Sequence, residues 1–336
     1  MAPDAPATAP PSASASHPAA AEAVGIVVVL TAVLALLFIA FALPAVKSGP
    51  HDVPLGIAAP PDQVAQLEAG LGNAAPDAFD VRTYADEPAL RDAILDREIY
   101  GGVAPNPNGV QVYTASAASL PIAQLITNLA NQLGTQTGVP VSTLDVKPLP
   151  PDDPRGGGLT AAALPLALGG LLAAAVLRRR FPNRPSLQVT AATAFALVAG
   201  FAIAAILKYW FGSVTGDYVP IALGLALGIG AIALALLGLG MVAGWAGFGL
   251  GAAVIMLLGN PLSGLAAGPE FLPTPWGAIG QLLPPGANGT LLRSTGFFEG
   301  AGATQSIIVL GIWALAGLLL CALAAMRLRR RRPTAD

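Results

Sequence analysis

The sequence carries few charges, one cysteine and two histidines. Only 11% of its 336 residues are charged, against about 25% in ordinary soluble domains, which excludes that class of protein. The single Cys321 excludes an internal disulfide and a thiolate metal site. The histidines, His17 and His51, each stand beside a proline, far apart in the chain. We therefore expect no metal, no cofactor and no histidine-based proton relay.

Motifs for catalysis are also missing. A P-loop requires Gly-Lys-Ser/Thr, yet none of the three lysines, Lys47, Lys147 and Lys208, follows a glycine. No candidate nucleophile stands with a base, and no basic patch suits nucleic acid. We expect that the chain is not an enzyme, that it has no nucleic-acid partner, and that any use of ATP requires a separate subunit.

Apolar sequence is what the chain has in abundance. The run from Val219 to Gly259 carries no charge. A membrane-spanning helix needs roughly 20 apolar residues, so this run predicts two spans that turn back near Met241–Phe248, where glycines cluster. A helix satisfies its own backbone hydrogen bonds in lipid. The sequence therefore predicts an α-helical polytopic membrane protein.

Six transmembrane helices are predicted in total, with the lipid bilayer as their surroundings. They cover residues 23–46, 159–177, 187–207, 219–241, 243–259 and 305–326. The first is longer than the apolar core of a signal peptide, about 7–15 residues, which favours a retained anchor over cleavage at 42–45. Residues 1–22, rich in Ala, Pro and Ser, predict a disordered tail.

Residues 47–158 have a different pattern. Alternating apolar positions predict strands over 53–58, 79–84, 99–104, 110–115 and 141–146, and helices over 60–71, 86–96 and 120–133. We expect an α/β domain inserted between the first and second spans, followed by a linker at 148–158. Asp86 is the predicted N-cap of the second helix. Arg91, Asp92, Asp96 and Arg97 suit a solvated helix face with local ion pairs.

The charges predict the orientation. More than half of the 17 basic residues lie in Arg178–Arg184 and Arg327–Arg332, whereas most of the 19 acidic residues lie between Asp52 and Asp153. Six spans place both basic clusters on one side, which the positive-inside rule assigns to the cytoplasm. Both termini, including the basic tail 327–336, are then cytoplasmic, and residues 47–158 are extracytoplasmic. A composition typical of GC-rich genomes favours a bacterial plasma membrane.

The segment 260–304 is too apolar for a free loop and too rich in Pro and Gly for a span. We expect an outer re-entrant or interfacial segment that includes a short helix. Non-helical backbone at such depth must be shielded by protein or line a wet cavity. The segment is therefore either an outer gate over a translocation path or a plug that seals the bundle. The candidate gate residues are Asn260, Pro261, Pro273, Trp276, Pro284, Pro285 and Arg293.

Glycines recur at a spacing of four in the apolar run. This spacing places each pair on one helix face and permits close helix approach. The pairs are Gly224 with Gly228, Gly240 with Gly244, and Gly247 with Gly251. Packing within the bundle is favoured over a dimer seam.

Short motifs in this segment resemble the re-entrant region that precedes the last span of ABC-2-type transporter permeases. They are Asn-Pro-Leu-Ser-Gly at 260–264, Leu-Pro at 272–273, Trp276, Leu-Pro at 283–284 and Arg293. The layout of one span, a large outer domain and five further spans is similar to the YhgE/Pip-like branch, as is the strand–helix–strand pattern over 79–103. The resemblance implies a homodimeric permease that exports a lipid-like or amphiphilic compound with a separate ATP-binding subunit.

The chain departs from that family at the inner loop, about 178–185, which is too short for the usual coupling helix. This departure favours an alternative, a non-transporting cell-envelope scaffold whose extracytoplasmic domain binds a partner. An ion-coupled carrier ranks third because the predicted spans hold no charged residue of the kind that carriers place there.

Overall fold

The structure, a computed structural model, describes residues 17–330. A long helix, α1 (His17–Lys47), precedes an α/β domain. That domain contains β1 (Val53–Ile57), α2 (Pro61–Ala74), β2 (Phe79–Thr83), α3 (Glu87–Leu95), β3 (Gly101–Asn106), β4 (Gly109–Thr114), α4 (Leu120–Thr137) and β5 (Val141–Asp145). A helical bundle follows, with α5 (Gly157–Arg180), α6 (Pro185–Ala205), α7 (Tyr218–Ala253), α8 (Trp276–Gln281), α9 (Pro284–Phe297) and α10 (Thr304–Arg330).

The α/β domain is built on one five-stranded sheet in the order β2-β1-β3-β4-β5. β1 is parallel to β2 and β3, β3 and β4 are antiparallel, and β5 is parallel to β4. One face packs on α2 and α4 through an apolar core that includes Leu55, Leu71 and Ile122. The other face packs on α3, and the cluster around Leu90 continues into the bundle as far as Phe297. The domain is thus packed against the bundle.

Local sequence explains most of this domain. Each predicted strand is present within two residues of its predicted bounds, because a short run with alternating apolar residues is a local signal for a strand. Asp86 caps α3, where its carboxylate accepts a hydrogen bond from the Ala89 amide at 2.9 Å. α4 runs beyond its predicted end at 133, because Gly134 stays helical and the left-handed C-cap is formed by Gly138, with φ of 72°.

Within the described part of the chain, five helices are long and apolar enough to cross a membrane. They are α1, α5, α6 with the π-helical turn Ile206–Trp210, α7 with the π-helical turn Val254–Gly259, and α10. The chain is therefore a mostly helical, polytopic membrane protein with a small sheet. In the most apolar 18-residue stretch of α1, no residue is buried inside the protein. In the corresponding stretch of the α7 segment, 89% of the residues are buried. α7 is the centre of the bundle, and α5, α6 and α10 surround it.

The helix assigned as α7 reverses direction within its length. Ala243 and Gly244 have non-helical backbone, and Gly244 is left-handed with φ of 68°. A Cβ built on Gly251 would lie 2.6 Å from Leu239 Cδ1 and 2.9 Å from Leu236 Cδ2. Residues twelve or more apart in a straight helix are separated by about 18 Å, so the segment is a hairpin. Its second arm, about 15 residues, is about 22 Å long, and a full span over 243–259 stays a prediction.

The glycine predictions need one correction. Gly240, Gly247 and Gly251 lie against neighbouring side chains or backbone, but nothing lies within 4 Å of a Cβ built on Gly244. Its predicted pairing with Gly240 on one helix face is wrong, because the helix breaks between them. Gly244 instead lies at the point where α7 reverses direction, and glycine adopts the positive φ required there without steric cost.

Close approaches to α7 involve three glycines on the helices that surround it. Their built Cβ atoms would meet α7 backbone at 2.9 Å for Gly170, 2.6 Å for Gly200 and 2.4 Å for Gly317. The glycines predicted from the sequence to pack against other helices all lie in the central run. Glycines at a regular spacing can be recognised in the sequence as one helix face without side chains. A single glycine that faces a neighbouring helix leaves no such pattern.

Several boundaries also differ from the predictions. Residues 17–22 belong to α1 and are not a disordered tail, while residues 1–16 lie outside the described part. α6 continues through Trp210, and α5 and α10 continue through their arginine clusters to Arg180 and Arg330. Cations in a last helical turn interact favourably with the helix dipole, so these clusters extend the helices. Residues 331–336 of the basic tail lie outside the described residues.

The segment 260–304 contains more than a short interfacial helix. Short 3-10 turns at Pro261–Ser263 and Pro269–Phe271 and the helix α8 precede α9. Nearly every residue of α9 is buried, because it packs against α7, α10 and α5. Gly228 permits this contact, since a Cβ there would lie 2.2 Å from Asn288 Cγ. α9 is thus a helix inserted into the bundle.

Candidate functional site

A cavity of about 610 Å³ lies between the α/β domain and the segment 260–304. We call it the junction cavity. The α/β domain contributes the stretch Arg97–Tyr100, which leads from α3 into β3. The residues Pro269–Gln281 form a second wall, and Thr290 and Arg293 of α9 form the third. The cavity therefore joins the domain to the helix that is inserted into the bundle.

Arg97 reaches from the α/β domain to the bundle. It follows the end of α3 with a positive φ of 62°, which turns the chain back towards the sheet. Its guanidinium donates hydrogen bonds to the Thr290 carbonyl at 3.2 Å and to the Ser294 hydroxyl. The guanidinium also lies 5.4 Å from the centroid of the Phe298 ring. The prediction of a solvated Arg97 is wrong, because α3 packs its C-terminal end against the bundle.

Arg293 comes from α9 on the opposite wall. Its guanidinium donates to the Leu265 carbonyl at 3.0 Å. Within the described residues, neither Arg97 nor Arg293 has a carboxylate oxygen within 4 Å, and the two ion pairs present lie elsewhere on the surface. Both guanidinium groups are thus held by neutral oxygens, and their positive charges have no close counter-charge.

A tyrosine and a glutamate complete the inner wall. The Tyr100 hydroxyl donates to Glu270 Oε2 at 2.8 Å. Burial raises the pKa of Glu270, and it also raises the pKa of Tyr100, to which the Glu270 charge adds. Burial lowers the pKa of Arg97 to about 10. Arg97 therefore keeps its charge at neutral pH, while burial makes ionisation of Glu270 less favourable than in water.

Backbone hydrogen bonds hold the two sides of the junction cavity together. The amides of Gly49 and His51 donate to the carbonyls of Phe271 and Glu270, at 3.1 and 2.9 Å. The Ser119 hydroxyl donates to the Ala267 carbonyl at 2.6 Å. These bonds fasten the segment 267–271 to the α/β domain, so the wall that carries Glu270 is held in place.

Of the seven candidate gate residues, only Arg293 lines the junction cavity. The others shape the backbone around it. Carbonyls of Asn260 and Pro273 accept hydrogen bonds that form turns, and Trp276 begins α8. Pro261 opens a 3-10 turn, and Pro284 and Pro285 open α9.

Arg97, Tyr100 and Glu270 were not predicted as site residues. One signal was visible: between Asp217 and Glu299 the only charged residues are Glu270 and Arg293. A lone acid and a lone base in such an apolar stretch indicate a polar site. No local pattern connects them to Arg97, which lies 193 residues before Thr290, its hydrogen-bond partner.

No protein-family model matches this chain, and no curated protein matches it. Within residues 17–330, no group of three His, Cys, Asp or Glu side chains is placed to hold a metal ion. The fold and the site together define a polytopic helical membrane protein with a charged cavity where its α/β domain meets the bundle.

Proposed function

We propose that the chain is an ABC-2-like permease subunit that exports a lipid-like or amphiphilic compound with a separate ATP-binding subunit. The observation that carries the proposal is the junction cavity. It has two arginines without close counter-charges, and α9 leads from it into the bundle. A cavity that connects a water-exposed domain to an inserted helix suits a cargo with one polar and one apolar part.

The chemistry of the wall supports an acidic polar group on the cargo. Arginine binds carboxylate and phosphate through charge-assisted, often bidentate hydrogen bonds. Three acids line the cavity, but Asp52 and Glu98 are exposed, and Glu270, which interacts with both arginines, has its pKa raised by burial. The adjoining membrane helices carry no acidic residue between Gly157 and Arg180 or between Tyr218 and Gly259. A bundle without acidic residues suits a cargo with an apolar part better than an ion.

The arrangement of charges also supports the proposed orientation. The α/β domain lies at the end of the bundle where α5 and α10 begin, and their arginine clusters lie where these helices end. If the arginine end faces the cytoplasm, as the positive-inside rule requires, the junction cavity faces the outside of a bacterial plasma membrane. This placement is where an exporter releases cargo.

The test compares exported compounds and partners in one strain. Cells lacking the gene receive the wild-type chain, Arg97→Gln, Arg293→Gln or the control Arg91→Gln. Arg91 is exposed on α3 and pairs with Glu87 at 3.7 Å, so it matches the charge change away from the cavity. Untargeted mass spectrometry of the medium should show an amphiphile that is lost with both cavity variants and retained with the control. Crosslinked membranes should yield an ATP-binding protein.

The scaffold remains a second candidate, and one observation favours it. Only Phe181–Arg184 separates α5 from α6, so the described residues hold no coupling helix there. A scaffold predicts that the medium is unchanged in all strains and that crosslinking recovers envelope proteins without an ATP-binding protein. That pair of results would overturn the permease proposal.

A further inference from the structure

We propose that the arginine end of the bundle binds an anionic phospholipid, with its phosphate in a second cavity and an acyl chain in the groove beside it. This cavity, of about 490 Å³, lies between the ends of α5 and α10, the start of α6 and the reversal of α7. Among the described residues, Arg178, Arg179 and Arg327 line it, and no Asp or Glu does. We call it the arginine cavity.

Arg178 is positioned to bind an acceptor oxygen. Its guanidinium lies 4.9 Å from the centroid of the Trp245 ring, which fixes the plane of the group. Gly240 leaves room for it, since a Cβ there would lie 2.9 Å from Arg178 Nη1. The Nε of Arg178 is buried and has no hydrogen-bond partner within residues 17–330. A buried donor without a partner is costly, so an acceptor that enters the cavity gains the interaction.

Gln188 adds an acceptor to the same cavity. Its Nε2 donates to the Phe181 carbonyl at 2.7 Å, and this bond does not use Oε1. That oxygen is buried and has no partner. The cavity therefore offers guanidinium donors together with one acceptor. A phosphate whose headgroup also carries a hydroxyl, such as that of phosphatidylglycerol, satisfies both.

A groove of about 890 Å³ beside the arginine cavity supports a lipid over a soluble phosphate. It runs between α6 and α10 along Leu187, Val189, Leu318 and Ala322. The two spaces share Asn183, Pro185 and Leu328 among their lining residues. In the most apolar stretches of α6 and α10, only 22% and 28% of the residues are buried inside the protein. The groove therefore opens on the surface that faces lipid. An acyl chain fits such a surface.

The experiment measures lipid binding to the purified full chain in detergent. Phosphatidylglycerol and phosphatidylcholine with identical acyl chains are titrated and bound copies are counted by native mass spectrometry. Inorganic phosphate is added as a competitor. We expect phosphatidylglycerol to bind about tenfold or more tightly than phosphatidylcholine, and millimolar phosphate not to displace it. Equal binding of the two lipids would refute the site, and displacement by phosphate would show a soluble anion as the ligand instead.

Variants locate the binding. Arg178→Gln and Arg327→Gln should each weaken phosphatidylglycerol binding about tenfold, as expected for loss of a charged hydrogen bond. Arg180→Gln is the control, because Arg180 is exposed, lies 5.9 Å from the Phe181 ring centroid and lines neither space. Equal weakening by all three variants would refute the site in favour of general charge attraction. Arg327 is exposed, so its variant carries the test if Arg178→Gln fails to fold.

Discussion

Replacing Gly317 with alanine tests the packing of the bundle most directly. Gly317 lies in α10 where that helix crosses α7. A Cβ built on it would lie 2.4 Å from the Leu234 carbonyl carbon and 2.5 Å from the Ala235 amide nitrogen. These are backbone atoms, so no side-chain rotation relieves the clash. One of the two helices must move away from the other.

The magnitude follows from this geometry and from a control in the same helix. Overpacking of a well-packed core costs typically about 1–3 kcal/mol. Gly311 is also in α10, but nothing lies within 4 Å of a Cβ built there. Gly311→Ala should instead stabilise the helix by about 0.5–1 kcal/mol. The two variants should therefore differ by roughly 1.5–4 kcal/mol in the free energy of unfolding.

Thermal unfolding of the purified chain in detergent measures the difference. For domains of about 150–250 residues, 1 kcal/mol shifts the Tm by about 2–4 °C. We expect Gly317→Ala to unfold roughly 3–15 °C below Gly311→Ala. Equal Tm values for the two variants would refute the reasoning, because they would show that α10 and α7 do not approach as closely as this packing requires.

Three further predictions concern the hairpin, a helix cap and the junction cavity. Gly244→Ala should lower the Tm, since φ is 68° there, while Gly244→Asn should lower it less because Asn tolerates this conformation. Asp86→Ala should cost about 1 kcal/mol in denaturant unfolding of the α/β domain, and Asp96→Ala, at the other end of α3, should not. The raised pKa of Glu270 makes its contribution to stability less favourable as pH rises from about 4.5 through the folded-state pKa. Glu270→Gln should flatten this part of the pH dependence of the Tm.

Local sequence was enough for the strands and the long apolar helices because each of these leaves a local pattern. A run without charge such as Val219–Gly259 has no stable alternative to helices in lipid. Alternating apolar residues mark the strands, and Asp86 marks the start of α3 by a bond to an amide three residues away. The glycine cluster near Met241 also predicted the turn of the hairpin, although it did not show which glycine adopts the positive φ.

The candidate site was only partly predictable. Arg293 was named from its place in a resemblance, and it does line the junction cavity. Arg97 was assigned to a solvated face because its neighbours in sequence are charged. Tyr100 carried no signal at all, since its partner Glu270 lies 170 residues further along the chain.

The sequence by itself therefore determined that this is a helical membrane protein with an inserted α/β domain. Hydropathy and alternation report how each segment meets water or lipid, and that depends on neighbouring residues alone. Only the tertiary structure decided that α9 enters the bundle, that Gly317 faces α7, and that Arg97 and Arg293 line the same cavity. Those contacts depend on which distant surfaces pack together, and packing is a property of the whole fold.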